Sequence, residues 1–232
     1  MLLKRGERGL LVGKTGSGKT QNGLFQLMHT PLWPRIIFDT KIEDAFFSLP
    51  VGDETLEVIE GLENFIKYAK TSKAKDWPDY LLVRPTGEEY VDPEILDEYA
   101  RVVYESFGAC FFYIDEVVNM HKNGRALPHL MNVLCRGRSR GKTTLMGSQR
   151  PAMISRSCLT ETDRFYMHKL TDMRDRKTLG EVVPDFADYA PPPEYHFWHY
   201  SHKDHEKCEL FLPVPEIKFD AAMKKKFKKR WL

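Results

Sequence analysis

The run Gly13-Lys14-Thr15-Gly16-Ser17-Gly18-Lys19-Thr20 fills every required position of GxxxxGK[ST], the spacing with which a chain wraps a polyphosphate. The glycines allow successive backbone N–H groups to close around phosphate oxygens, and a following helix aims its N-terminus at them. Lys19 then neutralises the outer phosphates, and Thr20 offers a hydroxyl to Mg²⁺. Cleaving a phosphoanhydride also requires carboxylates opposite the phosphates. Asp115-Glu116 supplies them: Asp115, closing an apolar run, is the expected Mg²⁺ carboxylate, and Glu116 is placed to polarise an attacking water.

A second group follows Cys135, where Gly137, Arg138, Ser139, Arg140 and Gly141 precede an apolar run that ends in Ser148-Gln149-Arg150-Pro151. Gln149, at the end of a strand expected beside that of Asp115, can bridge the γ-phosphate or the attacking water to the sheet. An arginine that stabilises transition-state charge is supplied in ring motors by the neighbouring subunit. Arg136, Arg138, Arg140 and Arg150 are the candidates for that role; the plain alternative is phosphate contact or capping of a helix C-terminus.

These residues need strands that end beneath them. Gly9 to Val12 reads as the strand before the glycine-rich loop, with a helix from about Gly18 that stops before Pro31 and Pro34. Arg35 to Asp39 is the next strand; Thr40 to Asp79 holds one helix, 61–73, before a strand at Tyr80 to Arg84. Asp92-Pro93 starts a helix that Gly108 is expected to end. Cys110 to Asp115 is continuously apolar up to its final carboxylate, as in a central parallel strand covered on both faces. A helix from Leu127 to Cys135 and strands at Thr143 to Gly147 and Arg164 to His168 complete an α/β alternation. Past Pro191-Pro192-Pro193, Tyr195 to Ser201 and Cys208 to Leu212 read as a hairpin.

Composition narrows the setting. The 232 residues suffice for one compact domain, and the net charge is +2. Six cations lie among the last nine residues, so the rest of the chain is acidic on balance. With Met223, Phe227 and Trp231 spaced as a helical stripe, that tail suits DNA phosphates, an anionic membrane surface or a protein neighbour, or else is a frayed terminus. Cys110, Cys135, Cys158 and Cys208 form no CxxC pair, which fits a reducing compartment. No signal peptide or run of about 20 apolar residues is expected. His196, His199, His202, His205 and Cys208 recur every third residue, but a hairpin would point them apart rather than around a metal.

The Gly-Arg turn, the strand, Ser148-Gln149-Arg150-Pro151, the Asp115-Glu116 pair and Asp39-Thr40-Lys41 together resemble the HerA/FtsK superfamily of DNA-pumping P-loop ATPases, over residues 9–170. The compact length is most similar to the genome-packaging ATPases of tailless, membrane-containing icosahedral viruses. The resemblance implies a RecA-like P-loop NTPase fold of α/β class with a mainly parallel central sheet. Residues 1–190 would form the ATPase core, 191–217 a C-terminal hairpin packed on it, and 218–232 a basic tail. It further implies Arg138, which matches the arginine of the family's Gly-Arg turn, as first choice for the trans arginine, ATP and Mg²⁺ as cofactors, a homo-oligomeric ring that is a hexamer in the family, double-stranded DNA and capsid vertex proteins as partners, and location in the host cytoplasm or at the virion vertex. A cellular or plasmid translocase of the same superfamily, or an assembly factor that binds ATP without cleaving it, are the alternatives. Capsid genes in the genome neighbourhood would favour packaging over the first, and an intact Glu116 argues against the second.

Overall fold

A computed structural model describes residues 1–49, 53–204 and 207–218. The tail beyond Lys218 and His205 therefore lie outside the described residues. In chain order the elements are β1 (Arg8–Val12), α1 (Lys19–His29), β2 (Arg35–Phe38), β3 (Leu56–Glu60), α2 (Leu62–Thr71), β4 (Tyr80–Arg84), α3 (Pro93–Ser106) and β5 (Cys110–Ile114). There follow β6 (His121–Lys122), β7 (Arg125–Ala126), α4 (Pro128–Arg136), β8 (Lys142–Ser148), α5 (Arg156–Thr160), β9 (Arg164–Met167), α6 (Met173–Gly180), β10 (Phe197–Ser201) and β11 (Glu209–Phe211).

One sheet of nine strands runs β11-β10-β9-β1-β8-β5-β2-β4-β3. From β9 to β3 every pairing is parallel, and β10 and β11 add to one edge antiparallel. The chain thus has the mostly parallel α/β architecture of a RecA-like P-loop NTPase. Period-two alternation divides the apolar residues of each central strand between two layers. In β5, Phe112 and Ile114 pack with Leu96, Tyr99 and Val103 of α3 and Leu130 and Val133 of α4. Phe111 and Tyr113 face the other way, onto Leu24 and Leu27 of α1. Burial on both faces is why β5 reads as continuously apolar rather than alternating.

Three local features differ from the sequence expectation. Strand β3 lies in the stretch expected to hold only a helix; its Leu56-Glu57-Val58-Ile59-Glu60 is an edge strand, too short and too acidic to stand out. Helices α5 and α6 are likewise unforeseen, being five and eight residues long. Helix α3 begins as expected, with the Asp92 carboxylate accepting from the Glu94 N–H at 2.9 Å. Its end is not made by Gly108: Phe107 is extended, and the buried Lys142 ammonium donates to the Val103 and Gly108 carbonyls at 2.9 and 2.8 Å and to that of Phe107. A lysine 34 residues downstream of Gly108 caps the helix, which no local pattern reveals.

Candidate functional site

Four adjacent strands, β1, β8, β5 and β2, deliver their C-terminal ends to one edge of the sheet, and each carries one part of the expected chemistry. From β1 comes the glycine-rich loop. Gly13 has φ 152°, and a Cβ there would lie 2.6 Å from Ser17 Oγ and 2.7 Å from His168 Cβ, so the loop can turn back on itself only at a glycine. Gly18 at φ 98° starts α1, whose first residues are Lys19 and Thr20. The Lys19 ammonium donates to the Lys14 carbonyl at 3.1 Å and is buried, which with the nearby Lys41 cation lowers its pKa to about 8. His168, at the end of β9, supports the loop from behind: burial, then the Lys19 charge, push it down to about 3, so it is neutral.

From β5 come Asp115 and Glu116, both buried. The Tyr113 hydroxyl donates to Asp115 Oδ1 at 3.3 Å, while Asp115 Oδ2 accepts no hydrogen bond. From β8 comes Gln149, whose backbone N–H donates to Glu116 Oε1 at 3.3 Å and whose Oε1 accepts from the Thr15 hydroxyl at 2.8 Å. Gln149 thereby touches both the glycine-rich loop and the Glu116 carboxylate. The close approach of β8 to β5 has a sequence cause. A Cβ at Gly147 would sit 2.3 Å from the Asp115 carbonyl oxygen, so any larger residue would displace that carboxylate's backbone.

The residues after β2 were legible only as a pattern, and the structure gives them positions. Arg84 holds the buried Asp39 carboxylate at 2.8 Å, and Asp39 in turn accepts from the backbone N–H groups of Lys41 and Glu43. Ile42, between them, stands at φ 59°, a strained conformation for a β-branched residue. The result aims two side chains into the site. Lys41 lies 3.2 Å from Asp115 Oδ2 and 3.1 Å from Glu116 Oε2, and donates to the Asp115 carbonyl at 3.4 Å. Burial alone would lower its pKa; the two carboxylates outweigh this and raise it. Glu43 accepts from the Thr20 hydroxyl, and burial followed by Asp115 holds its pKa above the ordinary carboxylate value. No local signal marks Glu43 or Arg84, because each reaches the site through a tertiary contact.

The arginines divide between the two ends of the sheet. Arg150 is at the nucleotide edge, paired to Asp175 at 3.2 Å and Asp172 at 3.3 Å. It lines a cleft of about 400 Å³ with Lys14, Thr15, Gln149, Leu170 and Thr171. Arg136, Arg138 and Arg140 precede β8 and so stand at its opposite end, about 20 Å from Gln149 at strand rise. Arg140 lies over the Tyr104 ring at 4.3 Å and donates to its carbonyl. Arg136 and Arg138 are exposed and make no ion pair with the described residues. Among the described residues the histidines of the repeat do not converge: His199 is buried on β10 against Tyr166 and Phe211, His202 is exposed beyond the strand end, and His196 is half-buried before it.

The donor set at the nucleotide edge fits Mg²⁺. Thr20, Glu43, Asp115 and Glu116 offer hard oxygen atoms, and Asp115 Oδ2 is a buried carboxylate oxygen without a hydrogen bond. Among the described residues no three His, Cys, Asp or Glu side chains are grouped to hold a metal alone. That suits an ion which takes one or two protein ligands and completes its shell with phosphate oxygens and water. Among the described residues no helix is long and apolar enough to cross a membrane.

No family model matches the chain. It is 25% identical over 237 residues to the DNA packaging ATPase P9 of Enterobacteria phage PRD1, covering 95% of each chain. Its fold is similar to that of the genome packaging NTPase B204 of Sulfolobus turreted icosahedral virus 2, solved with AMPPCP, at a TM-score of 0.66 and 16% identity over 90% of this chain and 99% of that one. The same protein solved with ATP-gammaS gives a TM-score of 0.65 at 16% identity, over 90% of this chain and 98% of that one. Sequence and fold together show distant homology to HerA/FtsK-like viral genome-packaging ATPases.

Proposed function

We propose that this chain, a distant homologue of viral genome-packaging ATPases, hydrolyses ATP to move double-stranded DNA into a capsid as a ring of identical subunits. The observation that carries this reading is the convergence of four parallel strand ends on one site, with Gln149 bonded to both the phosphate loop and Glu116. Lys14 to Lys19 wrap the phosphates, Lys19 neutralises their developing charge, and Thr20 and Asp115 would hold Mg²⁺, which would supply further charge neutralisation there. Glu116 orients a water and takes its proton as the oxygen attacks the γ-phosphorus; the bond to the ADP leaving oxygen breaks and phosphate departs. Loss of the γ-phosphate is relayed through Gln149 to β8 and Arg150. Of the four candidate arginines, Arg136 and Arg138 are exposed and make no ion pair, side-chain hydrogen bond or ring contact with the described residues, at the far end from their own nucleotide loop. That favours Arg138 acting on the neighbouring subunit's nucleotide. Six subunits, contact with a capsid vertex and DNA or membrane contact by the basic tail follow from the same reading.

Steady-state ATP hydrolysis with and without long double-stranded DNA tests it. DNA-stimulated turnover, lost on Lys19→Ala and Glu116→Gln, is the expected result. An arginine finger is worth about 10³-fold, so titrating Arg138→Ala subunits into wild-type rings should reduce turnover in proportion to mixed interfaces. A wild-type protein that binds ATP and turns none over on any DNA would refute the motor reading.

A further inference from the structure

Lys41, half-buried, reaches both carboxylates of the site, and the mechanism above has no use for it. Its ammonium has three contacts, the Asp115 and Glu116 carboxylates and the Asp115 carbonyl, which match the three donors an ammonium carries. Three independent devices hold it there. Arg84 pins Asp39, Asp39 fixes the backbone of Lys41 and Glu43, and Ile42 between them is held in the left-handed region despite its branched side chain. Strain of this sort persists only where the surroundings impose it, and it accumulates where geometry matters for function. Removing the cation would leave two adjacent carboxylates facing each other in a buried pocket, with Glu43 close enough to feel Asp115. A second cation, Lys19, lies near enough for Lys41 to affect its charge.

We propose that Lys41 is a positioning residue that serves as the internal counter-ion of Asp115 and Glu116, keeping Glu116 in one arrangement and competing with a divalent cation for Asp115. This rests on the nucleotide-site reading and goes beyond it, because the glycine-rich loop and the carboxylate pair require no such lysine. The two halves of the proposal predict opposite effects. Without Lys41, Asp115 is a freer ligand, so the cation binds at lower concentration. Glu116, at the same time, loses the contact that fixes its direction, so the chemical step slows.

The experiment uses Lys41→Met and Lys41→Arg in the full chain. Binding of a fluorescent ATP analogue is titrated with Mg²⁺ beside kcat and KM. In Lys41→Met the Mg²⁺ midpoint should fall about threefold or more, since a competing charge a few ångströms away is removed. Its kcat should fall about tenfold to a hundredfold, the usual cost of a misdirected catalytic group, with KM for ATP changed about threefold or less. Lys41→Arg keeps the charge and should hold both the Mg²⁺ midpoint and kcat near wild type. A Mg²⁺ midpoint that stays or rises in Lys41→Met, or a kcat that stays, overturns the proposal. If Lys41→Met does not fold, a Lys41→Arg variant with a lowered midpoint overturns it equally. Wild-type protein that binds the analogue with no dependence on Mg²⁺ overturns the nucleotide-site reading as well, whereas a Mg²⁺-dependent wild type with an unshifted Lys41→Met overturns this inference alone.

Discussion

The two ends of the parallel sheet are built from similar residues and treat them differently. At the end where the strands begin, Lys142 caps three carbonyls, Arg8 bonds Asp163 and Glu161, and Arg164 is shared between Glu7 and Asp204. The buried and half-buried charges there meet opposite charge or a carbonyl, and only exposed ones such as Arg136 and Arg138 do not. At the end where the strands finish, Lys19 finds one carbonyl, Asp115 Oδ2 has no hydrogen bond, Ser17 Oγ is buried without a partner, and Gly13 and Ile42 hold unusual backbone. Polar groups left short of partners in a buried site cost stability unless something else completes them. The first edge is largely finished by the chain itself, while the second leaves polar groups that, on the proposed function, a nucleotide and Mg²⁺ would complete.

Exchanging one side chain at each edge should separate the two properties. Glu116→Gln removes a proton acceptor while keeping shape, so kcat should fall about 10²–10³-fold with nucleotide affinity and thermal midpoint little changed. Lys142→Met should do the reverse. Stranding the carbonyls at the end of α3 costs about 2–4 kcal/mol, which lowers the thermal midpoint by about 4–16 °C for a chain of this size. KM for ATP should not move, because the lysine is a strand's length from the phosphate loop. If KM rises with Lys142→Met at a temperature where the variant is folded, the edges are coupled and the division drawn here is wrong.

The sequence made the ligand edge more legible than the self-contained one. The phosphate loop and the carboxylate pair are contiguous in sequence, since the geometry they need is local: a turn of glycines, a helix start, a strand end. Their supports are not. Lys142 reaches Val103 of α3 across 39 residues, Arg84 reaches Asp39 across 45, and Glu43 meets Thr20 only after β2 has paired into the sheet. Strand β3 escaped notice for a related reason: an edge strand buries little and so carries little pattern. The arginines after α4 were visible as a cluster, yet their division into Arg140, held by Tyr104, and the exposed Arg136 and Arg138 depends on where α3 ends.

The comparison also has a pH signature of smaller size. Burial, then Lys41, lowers the Lys19 pKa to about 8, whereas phosphates favour its charged form and raise the value in the complex. Above pH 8, binding must therefore take up a proton, and affinity for an ATP analogue should fall by up to about tenfold per pH unit. Stability of the ligand-free chain responds with the opposite sign. The unfolded lysine titrates near 10.5, so the penalty for a buried ammonium is fully present below pH 8 and is relieved as pH rises toward that value. Equilibrium binding and chemical denaturation at pH 7.5 to 9.5, on the order of the window named by these two values, check both slopes. Parallel slopes would mean that Lys19 is not the group being titrated.

The smallest effect falls on the strained residue between Lys41 and Glu43 at the nucleotide edge. Ile42 is about half exposed and stands at φ 59°, so little apolar contact is lost when it is replaced, and an asparagine accepts that backbone more readily. Ile42→Asn should therefore raise stability by about 0.5–1 kcal/mol, read from the denaturant midpoint at constant slope. It should leave kcat near wild type, because Asp39 and Arg84 still fix the backbone that carries Lys41. If stability rises and kcat falls together, the strain itself tensions Lys41 against the carboxylates. In that case the ligand edge depends on a stressed backbone as well as on the Lys41 ion pairs.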